Sequence, residues 1–174
     1  IPDDGKTKHI LDHHKQIADY LKCQTSDFLP EMWLSDIEKE QVNQERSIRS
    51  KKLIGIHPGA SLLLRLLPSR TWISVIQKLK CRGNVDLILF KGPGDDEIVS
   101  KIQSGVLDYI EVVSVPLRNY LIKIASCDLI VSLDSGCGHL ASALGIPVVS
   151  IFGPAESSFC KPMGKLVNIV EVPN

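Results

Sequence analysis

Asp128-Leu129-Ile130-Val131-Ser132-Leu133-Asp134-Ser135-Gly136-Cys137-Gly138-His139 is the stretch from which the fold can be read. Residues 128–133 form an apolar run of strand length. Asp134 stands at its C-terminal tip. Ser135, Gly136 and Gly138 follow, a short apolar helix runs from His139 to Leu144, and Gly145-Ile146-Pro147 stops it. In an α/β sheet such a strand, glycine loop and helix mark a ligand site. Free backbone N–H groups and the positive end of the helix dipole point there at a bound anion.

The same alternation extends in both directions. Apolar runs predict strands over 53–57, 85–90, 109–113, 128–133 and 147–152. Amphipathic runs predict helices over 70–81, 95–103, 116–126 and 139–144; Trp72, Val75, Ile76 and Leu79 share one face of the first. Five strands separated by four helices imply an α/β fold, a doubly wound, Rossmann-like parallel sheet covered on both faces. Its ligand lies outside the carboxyl ends of the strands. Three loops face that crevice: His57 to Ser61, Lys91 to Glu97 and Asp134 to His139. The run Leu62-Leu63-Leu64 is expected to pack onto the core or a neighbouring domain.

Residues 1–50 are different. They are polar, with helical segments over about 7–21 and 31–47 and a break at Asp27-Phe28-Leu29-Pro30. Ile10, Ile17 and Leu21 line the first helix; Trp33, Ile37 and Val42 line the second. The division expected is a helical linker over 1–50 and a Rossmann-like domain over 51–174. The chain starts Ile1-Pro2-Asp3, without Met or a signal-peptide layout, so a trimmed or partial polypeptide is expected.

Composition excludes several classes. Apolar residues make up 44%, enough for a substantial core. Charge balances at 20 basic and 20 acidic residues, which gives no basis for a nucleic-acid partner. No apolar run reaches the roughly 18 to 20 residues of a membrane-spanning helix. The five cysteines lack any C-x-x-C pair, so reduced thiols in the cytosol are expected, mostly as buried fillers, and no zinc site. His9, His13 and His14 read as a solvated helix face, and Trp33 and Trp72 as packing residues.

The loop residues have structural as well as functional readings. Asp134 or Ser135 could simply cap the next helix, and acids after Gly94 suit a helix dipole alone. Arg65 could be a solvated charge. In the Asp134 loop, however, an acceptor, a hydroxyl, a bare backbone and an imidazole gather within one turn. A nucleotide diphosphate needs such donors, and glycine lets its oxygens approach the main chain.

The pattern Asp134-Ser135-Gly136-x-x-His139, with Gly145-Ile146-Pro147-Val148-Val149 and Phe152-Gly153-Pro154 after it, resembles the donor-nucleotide motif of glycosyltransferase family 9, the heptosyltransferases of lipopolysaccharide inner core. His57-Pro58-Gly59-Ala60-Ser61 resembles a second motif of that family, in which a basic residue and then x-Trp-Pro follow. Arg65 fills the basic place; Leu67 stands where the tryptophan is expected. Lys91-Gly92-Pro93-Gly94-Asp95-Asp96-Glu97 resembles the family's Gly-Gly-Pro-x-acid-Glu segment.

The resemblance implies the C-terminal half of a glycosyltransferase B fold, which binds a nucleotide-sugar, usually ADP-heptose, without cofactor or metal. The residues it marks for the donor are Asp134, Ser135, Gly136, Gly138, His139, Arg65, Ser61 and Gly59. Arg65 is implied to contact phosphate, and either Asp96 or Glu97 the ribose. The glycolipid acceptor and the catalytic aspartate are implied to belong to an N-terminal domain that this chain does not contain, so inactivity of the chain alone is expected. A cytoplasmic place, with room for peripheral contact at the inner membrane, goes with that chemistry. Two alternatives stay open: a UDP-using epimerase or other two-domain transferase half, and a binding module that kept the fold without the chemistry.

Overall fold

The structure, a computed structural model, describes residues 9–24 and 28–171. Two helices come first, α1 (Ile10–Tyr20) and α2 (Asp36–Ser47). The expected start of α1 at Thr7 and Asp27 of the break lie outside the described residues. The strands are β1 (Lys52–His57), β2 (Val85–Phe90), β3 (Glu111–Val113), β4 (Leu129–Leu133), β5 (Val148–Phe152) and β6 (Val167–Glu171). Between them run α3 (Ser69–Cys81), α4 (Asp96–Gly105), α5 (Leu117–Ser126), α6 (Gly136–Ala143) and the single turn α7 (Ser157–Cys160).

All six strands are parallel, in the order β3-β2-β1-β4-β5-β6. The chain therefore moves outward from β1 in one direction, returns, and moves outward in the other. The reversal lies between β1 and β4, where adjacent loops diverge and leave a crevice.

Side-chain alternation along the strands divides the core in two. Ile54, Ile56, Leu87 and Leu89 point to one face and meet Trp72 and Ile76 of α3 and Val99 and Ile102 of α4. Ile88, Phe90, Ile130 and Val148 point to the other and meet Ile124 of α5 and Cys137 and Ala141 of α6. On β1 that second face carries Gly55. A Cβ there would stand 2.5 Å from Phe90 Cε2 and 2.6 Å from Ile130 Cδ1, so the two large side chains close over bare backbone.

The α5-to-β4 turn is held firmly. Arg46 of α2 donates to the Ala125 and Cys127 carbonyls, and Arg49 to that of Ser126. The Asp128 carboxylate accepts the Leu53 N–H at 2.9 Å and pairs with Lys52 and Arg49. A capping box of Ser35 and Glu38 starts α2.

Several expectations change. The sheet has six strands, not five. The sixth is an edge strand with only Val167 and Ile169 half-buried and with Asn168, Val170 and Glu171 exposed, so it lacks the dense apolar run of the inner strands. α6 begins at Gly136 rather than His139, which makes the glycine loop itself the first helical turn. It ends with the Gly145 N–H on Ser142 O and the Ile146 N–H on Ala141 O, and Gly145 takes the positive φ this cap requires. Leu63 and Leu64, in a 3-10 turn at Leu63–Arg65, are each 84% exposed and pack on no core. Trp33, which precedes α2 because the helix starts at Asp36 and not at residue 31, is exposed, and so is Ile37, since α2 buries only Val42. Cys127 and Cys137 are buried fillers, but Cys23 and Cys81 are exposed.

Gly55→Ala is expected to lower the unfolding free energy by about 1–3 kcal/mol through overpacking, read from the urea midpoint. An unchanged midpoint would mean that Phe90 and Ile130 move aside freely.

Candidate functional site

The three polar loops expected at one edge meet there. β1 ends at His57, β4 runs into Asp134, and β2 is followed by the turn that leads to Asp95. His57 is the hub. Its Nε2 lies 3.3 Å from Asp95 Oδ2 and its Nδ1 lies 3.2 Å from Ser135 Oγ. Both His57 and Asp95 are buried. Asp95 Oδ2 also accepts the Gly92 N–H at 2.8 Å. Burial by itself raises the Asp95 carboxyl. The His57 and Gly92 hydrogen bonds and the nearby Lys91 charge outweigh that and hold it below the ordinary aspartate value.

Gly59 explains its own identity. A Cβ at this position would fall 2.1 Å from Asp95 Oδ1, inside the carboxylate. The glycine in the His57 loop therefore seats the acid of the neighbouring loop. Ser61, four residues beyond His57, is exposed on the rim. With Leu63, Pro93, Gly94, Asp95 and Lys101 it bounds a cleft of about 410 Å³.

A second pair forms across the crevice. Arg65 Nη1 lies 3.0 Å from Asp134 Oδ2. Asp134 is 5% exposed, so its charge is met by the guanidinium rather than by water. The Cys160 thiol lies 3.9 Å from the same carboxylate, and burial with the Asp134 charge pushes that thiol up.

Among the described residues no side chain caps the start of α6. Ser135 occupies the N-cap position with its hydroxyl turned to His57, so the first-turn N–H groups face the crevice without a side-chain acceptor. The two glycines of the turn differ. Gly136 is exposed with open space around it, as close approach of a ligand requires. Gly138 is buried; a Cβ there would meet Ser132 Oγ at 2.7 Å and Pro162 Cγ at 3.3 Å, so packing demands it. His139 is half-buried. Burial lowers its pKa despite the nearby Asp134 charge and a hydrogen bond to the Cys160 backbone. Burial pushes the Cys137 thiol up to about 12, so it is no nucleophile.

The acids Asp96 and Glu97 are exposed; Asp96 pairs with Lys91 at 2.7 Å and Glu97 with Lys101. Asp95, one residue earlier, is the buried acid of this loop. Neither it nor His57 stood among the expected donor residues. The Gly92-Pro93-Gly94 turn was the available signal, because it folds residue 95 back toward the main chain of residue 92. His9 departs from the solvated face expected for it. Its Nδ1 accepts the Leu11 N–H as the cap of α1, and its Nε2 lies 2.9 Å from Lys161 O. Among the described residues no three His, Cys, Asp or Glu side chains group as metal ligands, and no helix is long and apolar enough to cross a membrane.

A family model, glycosyltransferase family 9 (heptosyltransferase), matches residues 1–174. The chain belongs to this family. Its relatives include lipopolysaccharide heptosyltransferase 2 of Salmonella typhimurium, 27% identical over 154 residues, which cover 82% of this chain and 43% of that protein. The structure of E. coli ADP-heptose LPS heptosyltransferase II superposes with a TM-score of 0.73 at 25% identity, over 86% of this chain and 47% of that one. The glycosyltransferase family 9 crystal structure from Veillonella parvula shares the fold, with a TM-score of 0.84 at 21% identity, over 99% of this chain and 51% of that one. This family 9 chain thus spans less than half the length of the Salmonella relative.

Asp95→Asn is expected to lower stability near neutral pH by about 1–3 kcal/mol, the usual cost of disturbing a buried charged hydrogen bond. The sign of its pH dependence follows from the depressed carboxyl. The stabilisation is present above the ordinary aspartate range and is lost as pH falls through the lower folded-state value. Acid titration of the urea midpoint should therefore be flatter in the variant than in the parent below about pH 4. Identical acid limbs would remove the His57–Asp95 bond from the account of stability.

Proposed function

We propose that this chain is the donor-binding half of an inverting glycosyltransferase that uses an ADP-heptose-like nucleotide-sugar to build lipopolysaccharide core or a related surface glycan. The observation that carries this reading is the pairing of Arg65 with Asp134, the residue before the N-cap of the uncapped helix α6, at the reversal of strand order. A guanidinium and free N–H groups on one crevice form an anion site. The family assignment supplies the chemical class. The E. coli relative is by its name an ADP-heptose LPS heptosyltransferase, which favours ADP as the carrier.

In this reading the diphosphate lies against Arg65 and the N–H groups from Gly136 onward. Asp134 holds the guanidinium in position. Ser135 and His139 line the α6 wall, and Gly59 and Ser61 the wall opposite. Asp95 is committed to His57, so the ribose hydroxyls fall to Asp96 or Glu97 on the rim. When the bond from sugar to phosphate breaks, negative charge collects on the departing diphosphate. Donors fixed before the reaction stabilise that charge without reorganising. Residues 51–174 form the donor domain and residues 1–50 the connecting arm. The glycolipid acceptor and its catalytic base belong to the part of such proteins that this chain does not span, and the complete protein works at the cytoplasmic face of the inner membrane.

Calorimetric titration with ADP, UDP and GDP tests the reading. ADP is expected to bind in preference. Arg65→Ala should weaken it by about tenfold or more, the value of a charge-assisted phosphate contact, and Asp134→Ala should weaken it by releasing the guanidinium. Preference for UDP or GDP would replace the donor, and binding of none of the three would overturn the donor role.

A further inference from the structure

We infer that His57 sets the direction of the Ser135 hydroxyl, and that the imidazole and hydroxyl together make binding of a diphosphate diester a proton-linked event; this rests on the donor site proposed above. His57 is a positioning residue here, since it acts through Ser135.

The inference follows from counting protons. Each ring nitrogen of His57 faces one partner, Asp95 at Nε2 and Ser135 at Nδ1. Asp95 is held as a carboxylate, which can only accept, so Nε2 carries a hydrogen. The state of Nδ1 then decides what Ser135 can do. A hydroxyl has a single proton. If Nδ1 is bare, Ser135 donates that proton to the ring, and Oγ turns only lone pairs to the crevice. If Nδ1 is protonated, it donates to Oγ, and the hydroxyl proton is free to point outward. Phosphate oxygens only accept. They repel the first arrangement and hydrogen-bond to the second, so the ligand selects the doubly protonated ring and takes up a proton on binding.

The surroundings place this switch on one group. Asp95 at the start of α4 is the charged contact of the ring, and it stays ionised. Lys91 on the same loop pairs with Asp96. Tyr120 of α5 and Cys137 of α6 are both pushed up by burial and stay neutral in the range concerned. On the far side Arg65 and Asp134 offset each other. His139, in the same turn as Ser135, is held below the ordinary histidine value by burial.

The test uses the whole chain and ADP-glucose, a diphosphate diester with no phosphate proton of its own to titrate near neutrality. Affinity is measured by calorimetry from about pH 6 to about pH 8.5, in buffers of differing ionisation enthalpy that count protons. The expected result is an affinity that falls about tenfold across that range, with net proton uptake approaching one. Ser135→Ala keeps the His57–Asp95 pair but removes the hydroxyl. It should bind several-fold more weakly at the acid end and lose the slope. His57→Gln, which can still donate to Asp95, should also be flat. If His57→Gln fails to fold, Ser135→Ala decides alone. Tight binding with a flat parental profile, or a slope retained in Ser135→Ala, overturns this inference and leaves the donor site standing. Binding of ADP but not of ADP-glucose at any pH overturns this inference alone, and binding of neither overturns the donor reading and this inference with it.

Discussion

A sheet made only of parallel strands dictates the rest of this molecule. Every strand must be followed by a crossover, and each crossover lies on one face or the other, so both faces become apolar core. Trp72 and Ile76 occupy one, Phe90 and Ile124 the other. Buried charge is thereby confined to the strand ends, and every strand-to-helix loop is delivered to the same end. At one position only, between β1 and β4, neighbouring crossovers leave in opposite directions. His57, Arg65, Asp95, Asp134 and Ser135 collect around that position.

Gathering these groups has a cost that the geometry offsets in a particular way. Asp95 and Asp134 are both removed from water, and each would be expensive alone. Each instead has its own cation or imidazole, and Asp95 adds a backbone donor. The partners come from different loops in both cases. The bonds that satisfy the buried acids are therefore the same bonds that fix the loops to one another. In the proposed donor reading, a phosphate would meet donors already oriented in a partly water-excluded place, where each interaction is stronger than at an open surface.

Much of this was legible in the sequence because it depends on local signals. Apolar runs bounded by glycine and proline located the inner strands, and the Gly136 and Gly138 spacing located the loop that the crevice uses. The sixth strand was not legible, since an edge strand needs only half an apolar face and Val167 to Glu171 carries no more. Asp95 was not legible either. Three acids in a row look alike, and only the Gly92 main chain, folded back by the turn, makes the first of them the buried one. The pairing of Asp134 with Arg65 joins residues sixty-nine apart, and nothing in either neighbourhood announces it. Leu62 to Leu64 lie at a 3-10 turn on the rim with no core of this chain beneath it, which removes the core from their two expected placements.

Strands β1 and β4 are tied together at both ends. At their amino ends Asp128 takes the Leu53 N–H and the Lys52 and Arg49 charges; at their carboxyl ends His57 meets Ser135. Sliding one strand along the other would have to break both ties at once, so the two behave mechanically as a single plate. The guanidinium of Arg49 and that of Arg46 extend the plate to α2. A load applied to α2 would thus be passed to the strands that floor the crevice. The compliance a ligand needs to enter must come from the rim, from the leucine turn after Ser61 and the long connection between β5 and β6, and not from the strands that carry the polar groups.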